Sequence, residues 1–333
     1  VTLDVIGESN SVSPVTGLVA DEYRQEQGLS YGVEVDWTNL TGYFTRLLEQ
    51  GTSMNVASCV APQQIKLAVV GFENRSAVTA EREAMNELVA AAMQEGAVGL
   101  SSAWHGGGPE YLDEVVGMAK VAAHYGGYYG THIGSEGFDV MQELEKALEI
   151  GESAQIPVHI YHLKARGRDN WGRVGRIIEV IESARDGGLE VTANQYPYTA
   201  MQHPWHRLMP RWVQDTPRKE AIPLFGERSF RDRVKNDPEF KQYIHEHGGW
   251  EGIVLCDAAN STLRSEEGKT VSEIAVARGQ SDPVETCFDL VLENKAFPGG
   301  VYHNMSEEDV RTVMGCPWVS IASDGSALNE DAS

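Results

Sequence analysis

Short apolar, β-branched runs alternate along this chain with longer stretches of helical periodicity, and that alternation limits the possible folds more than any other feature. Parallel strands need crossover connections, so such a chain builds a sheet with helices packed on its faces. Candidate strands are Thr2–Ile6, Asn55–Val60, Val98–Leu100, Tyr128–His132, Pro157–His162, Glu190–Gln195 and Trp318–Ala322. Helices are expected at Thr79–Gln94, with Thr79 as N-cap and Glu81 and Glu83 in its first turn, at Tyr111–His124 and at Val140–Ile150. Gly96, Gly126, Gly127 and Gly151 stand where these helices should stop. The reading is an α/β fold, a (β/α)8 TIM barrel occupying residues 1–333 as one partial domain.

The pattern weakens from about Thr199 to Pro298, where Pro204, Trp205, Pro210, Trp212, Pro217 and Pro223 crowd together. An insertion before the last strand, carrying its own helices and acting as a lid, is expected over about 199–298. Seven strands are one short of a closed barrel, and the chain opens without Met on a strand-like run. Truncation before Val1 is therefore expected.

At 333 residues and 41% hydrophobic content the chain can bury a large core without disulfides. Its four cysteines, Cys59, Cys256, Cys287 and Cys316, form no CxxC pair and suit a reducing, cytoplasmic setting. A formal charge of −22 without a Lys/Arg cluster argues against a nucleic-acid partner. No apolar run is long enough to span a bilayer, so no membrane partner is expected.

Active sites of α/β barrels form at the C-terminal ends of the strands. Four polar residues stand there: Glu8, His132, His162 and Asp324. Strand alternation would put Val158, Ile160 and His162 on one face towards the barrel mouth, with Lys164 just beyond, and His159 and Tyr161 on the other, His159 against the helices. Two imidazoles and a carboxylate from separate strands match the ligand set of Zn²⁺ or a similar divalent ion. Asp324 is then the candidate proton acceptor for a water attacking a carbonyl. Each has a plainer alternative: a hydrogen-bonded structural histidine, a solvated loop carboxylate, or an Asp-Gly turn. Weaker candidates are the loop Trp104–Gly108 and Tyr196-Pro197-Tyr198 as substrate-lining segments. His203 and His206 read as lid or surface residues, and His245 and His247 as solvated.

Five motifs keep a common order: Gly-Ala-Val-Gly-Leu-Ser-Ser from Gly96, Thr-His-Ile-Gly-Ser-Glu-Gly from Thr131, Ile-Tyr-His-Leu-Lys from Ile160, Asn-Gln-Tyr-Pro-Tyr from Asn194, and Met-Ser-Glu-Glu-Asp-Val from Met305 with Ser-Asp-Gly at Ser323. Together they resemble the N-acyl-D-amino-acid deacylases (D-aminoacylases) of the amidohydrolase superfamily, through nearly the whole chain. The resemblance implies a barrel of the metal-dependent hydrolase type, with His132 and His162 as metal ligands and Asp324 as the catalytic aspartate. Glu8 corresponds, within one residue, to a ligand that is cysteine in some members. Lys164 and Tyr196 match substrate-binding positions. Gly134 stands where the family commonly has Arg and Asn194 where it commonly has Asp. The first-strand His-x-His and the basic motif after the aspartate are absent, which extends the expected truncation to both ends.

The resemblance implies a zinc-dependent amide hydrolase that removes the acyl group from a small-molecule N-acyl-D-amino acid by attack of metal-activated water. A dipeptidase or cyclic-amide hydrolase using the same site, and a non-catalytic barrel or inactive fragment, are the alternatives. Oligomeric state is left open.

Overall fold

The computed structural model of the chain describes residues 3–8, 10–73, 75–103 and 109–325. The candidate loop Trp104–Gly108 lies outside the described residues. Ten strands form among the described residues: β1 (Leu3–Ile6), β2 (Asn55–Ser58), β3 (Gly99–Ala103), β4 (Tyr128–His132), β5 (Val158–Ile160), β6 (Val191–Gln195), β7 (Ala200–Pro204), β8 (Ile253–Cys256), β9 (Gly299–His303) and β10 (Val319–Ile321). Each of the seven expected strands has its counterpart.

Those seven run parallel. β1 pairs with β2, and the second sheet has the order β10-β6-β5-β4-β3. A bridge between Val60 and Leu100 ties the two sheets together. The resulting arc leaves β1 and β10 each paired on one side, so no closed barrel is present among the described residues. Helices α1 (Thr79–Gln94), α2 (Pro109–His124), α3 (Val140–Ala154) and α4 (Val174–Asp186) connect successive strands of the arc. Their buried faces, including Met85, Val89, Val115, Met118, Leu144, Ile150, Ile177 and Ile181, contribute core side chains alongside Leu100, Val158, Ile160 and Val191 of the strands. Each such side chain contributes about 1.5–3 kcal/mol when removed from water.

Two helix boundaries differ from the sequence reading. Val78, not Thr79, is the N-cap of α1, because the Glu81 carboxylate reaches back to accept the Val78 backbone N–H at 2.8 Å. Gly151 does not stop α3, which continues to Ala154 and ends on Gln155 in a left-handed conformation. A Cβ on Gly151 would lie 2.4 Å from Cγ2 of Val158, so glycine there lets α3 sit against β5.

The chain divides into two compact units. One comprises Val1–Leu163, Gly175–Tyr196 and Met314–Ser333 and holds the parallel arc. The other comprises Lys164–Val174 and Pro197–Val313. The segment expected to carry its own helices does so, and β7, β9 and β8 add an antiparallel sheet with β9, just beyond residue 298, in the middle. Around it lies an aromatic-rich core of Trp205, Phe225, Phe240, Phe288 and Tyr302. No helix among the described residues is long and apolar enough to cross a membrane. All four cysteines are free.

Candidate metal centre

Three strand ends of the parallel arc bring Glu8, His132 and His162 together. Glu8 follows β1 after Gly7, whose φ of 103° and closeness to the Cys59 carbonyl (a Cβ would stand 2.5 Å from it) exclude any side chain. His132 is the last residue of β4. His162 lies two residues beyond β5, with φ 38°.

This backbone turn corrects the expected facing. β5 ends at Ile160, so alternation does not orient His162. Val158 meets Gly151 of α3 and therefore faces the helices. His159 takes the opposite face, where its ring meets Tyr128, which shares a face with His132. His162 joins His132 because its left-handed backbone redirects the chain after the strand.

The nearest polar atoms form a triangle. Nδ1 of His132 and Nε2 of His162 are 2.8 Å apart, and Oε1 of Glu8 lies 3.5 Å from the first and 3.6 Å from the second. Ligands held tetrahedrally at about 2.0–2.1 Å from an ion stand about 3.4 Å from one another. Two edges match that value, and the third, at 2.8 Å, would have to open by about 0.6 Å. The donor set therefore fits a divalent ion of the zinc type. Among the described residues this is the one group of three His, Cys, Asp or Glu side chains whose ligand atoms so converge.

Side-chain exposure falls from 39% at Glu8 through 25% at His132 to 6% at His162, so the triangle is reached from the Glu8 side. Burial pushes the Glu8 carboxyl upward, but the hydrogen-bonding pull of His132 and His162 and their charge outweigh it and bring it down to about 2. Glu8 is thus ionised at any pH of interest, as a ligand must be.

Two residues without an assigned role in the sequence reading support His162. Oε1 of Glu136 lies 2.8 Å from its Nδ1, and the Glu136 side chain is 3% exposed. The Asn194 side-chain oxygen accepts the His162 backbone N–H. Glu136 belongs to the motif that begins at Thr131, yet linear spacing gives no sign that it reaches a histidine on the next strand.

Asp324 follows β10 as an exposed residue with φ 52°, and its carboxylate is not one of the three converging groups. Tyr196 is buried, its ring centroid 6.2 Å from that of His162. Lys164 is buried too and belongs to the second compact unit. His245 is exposed and bonded to Asp169 at 2.7 Å, but His247 is not solvated as expected. It is buried at the end of α5 (Pro238–Glu246), with its Nε2 2.9 Å from Nε2 of His203. His203, half-buried, in turn stacks on Tyr302 at 3.9 Å.

No family model matches the chain. It is 26% identical over 302 residues to the D-aminoacylase of Alcaligenes xylosoxydans xylosoxydans, covering 90% of this chain and 52% of that relative. It is 30% identical over 164 residues to the N-acyl-D-glutamate deacylase of the same organism, covering 49% of this chain and 34% of the relative. The crystal structure of N-acyl-D-glutamate deacylase from Bordetella bronchiseptica, complexed with zinc and a phosphonate inhibitor, matches 98% of this chain and 59% of that one, with a TM-score of 0.71 at 23% identity. A D-aminoacylase structure described as defining a novel subset of amidohydrolases matches with a TM-score of 0.67 at 24% identity, again over 98% of this chain and 59% of that one. The chain thus spans about half the length of the D-aminoacylase relative. It shares the fold of these structures, and the resemblance to the N-acyl-D-amino-acid deacylases holds in sequence.

Proposed function

We propose, from this kinship with the N-acyl-D-amino-acid deacylases, that the chain belongs to a metal-dependent amide hydrolase that removes the acyl group from N-acyl-D-amino acids on a (β/α)8 barrel. The observation that carries the reading is the convergence of Glu8, His132 and His162 from three parallel strand ends. These residues would hold the ion, and zinc is the proposed one because a matching structure was solved with it. A divalent ion bound there supplies Lewis acidity and an acidified water at neutral pH.

The remaining roles fall to side chains. Asp324 accepts the proton of the attacking water and returns it to the leaving nitrogen as the C–N bond breaks, giving a carboxylic acid and a free amino acid. Lys164 pairs with the substrate carboxylate, and Tyr196 contacts the substrate. Gly134 in place of the usual arginine removes a bidentate clamp, leaving Lys164 as a single point charge for that carboxylate. The four free cysteines suit a cytoplasmic setting.

Hydrolysis of N-acetyl-D- and N-acetyl-L-amino acids by the full-length protein, with and without added Zn²⁺, tests the reading. Metal-dependent release from the D series is expected. The loss of a clamp at Gly134 favours one second reading, a dipeptide or cyclic-amide substrate. Silence on both series alongside turnover of those compounds would replace the first reading with it.

A further inference from the structure

We infer that Glu136 is a positioning residue for the metal centre, acting through His162. The inference rests on the metal-site reading above. His162 can present either ring nitrogen as N–H, and only one choice serves a cation. With Nδ1–H donating to Oε1 of Glu136 at 2.8 Å, Nε2, which faces Glu8 and His132, is the nitrogen that offers its lone pair once a cation displaces any proton shared with them. In the other tautomer an N–H would point at the ion.

Two further observations support a role beyond packing. Glu136 and His162 are both buried, at 3% and 6% side-chain exposure, so water does not compete for the bond and the carboxylate makes the ring a stronger donor to metal. Glu8 and Glu136 also flank the same imidazole from opposite edges. The Asn194 side chain accepts the backbone N–H of His162 and fixes the pivot from which the ring projects; Glu136 fixes its rotation.

The test is the Kd for Zn²⁺, by chelator competition, of the full-length protein carrying Glu136→Leu or Glu136→Gln, with Co²⁺ absorption as a second readout of ligand geometry. Glu136→Leu removes the acceptor and should weaken Zn²⁺ binding roughly 10–100-fold and alter the Co²⁺ spectrum. Glu136→Gln keeps a carbonyl acceptor without the charge and should fall between Leu and wild type. A wild-type Kd in either variant overturns the inference, and if Glu136→Leu does not fold, Glu136→Gln decides alone. His132→Ala and His162→Ala separate the two claims. If they lose Zn²⁺ while the Glu136 variants bind as wild type, only the role of Glu136 fails; if they too bind as wild type, the metal-site reading fails with it.

Discussion

Asn194 joins the two histidines of β5 and its following turn: its Oδ1 accepts the backbone N–H of His162, and its Nδ2 lies 3.2 Å from Nε2 of His159, to which it donates. The other nitrogen of His159 then carries the proton and donates to Thr192 Oγ1 at 2.8 Å. Burial holds the His159 pKa below the usual histidine value, in keeping with this neutral arrangement. Aspartate at position 194 would turn an oxygen towards the Nε2 lone pair, which protonation of His159 would relieve. Asn194→Asp should therefore raise the His159 pKa, read by NMR titration of the labelled imidazole. It should cost about 1–3 kcal/mol of stability well above pH 6.5, shrinking as pH falls and His159 takes up its proton. A His159 titration unchanged from wild type would show that the amide does not act on it.

The parallel strands could be read from the chain because runs such as Tyr128–His132 are apolar, β-branched or aromatic and bounded by glycine, which local chemistry alone determines. Glu8 and His132 are legible as strand-end residues because β1 and β4 end close to where the apolar runs do. Strand alternation does not account for His162: its direction comes from a left-handed backbone held by Asn194, a contact 32 residues away in sequence. Glu136 is not legible in the sequence for the same reason, since its partner is fixed by strand order and not by spacing. The sheet of β7, β8 and β9 was hidden by the proline and tryptophan content of the segment, in which Pro204 ends a strand instead of excluding one.

Gly151 offers a test of the packing of α3 on β5. Alanine would improve helix propensity by about 1 kcal/mol. Its Cβ, however, would meet Cγ2 of Val158 at 2.4 Å, and such overpacking costs about 1–3 kcal/mol. Gly151→Ala should lower the melting temperature, and adding Val158→Ala should recover part of the loss. A more stable single variant would mean that the two elements are free to separate.

Asp324 tests the division of labour in the proposed chemistry. Because its carboxylate is not among the three converging groups, Asp324→Asn should leave Zn²⁺ stoichiometry unchanged. Turnover should fall by roughly 10²–10⁴-fold through loss of the proton acceptor. Metal analysis and kcat on one preparation check both halves, and a variant with normal kcat would remove Asp324 from the mechanism.

His247 gives the second unit a pH dependence of known sign. Burial, the charge of Arg166 and the neighbouring His203 hold its pKa well below the usual histidine value. The folded state keeps it neutral, whereas the unfolded chain protonates it below about pH 6.5. Its contribution to stability is therefore complete above that pH and is lost as pH falls from there towards the lower folded value, at up to about 1.4 kcal/mol per pH unit. His159 and His206, also depressed by burial, act in the same direction. Urea unfolding at pH 8, 6.5 and 5.5 should show stability falling on the acid side. His247→Leu should flatten that fall, since one of the three groups that resist protonation is gone. An equal slope in the variant would mean that water reaches His247 in the folded protein and that its imidazole titrates as it does in the unfolded chain.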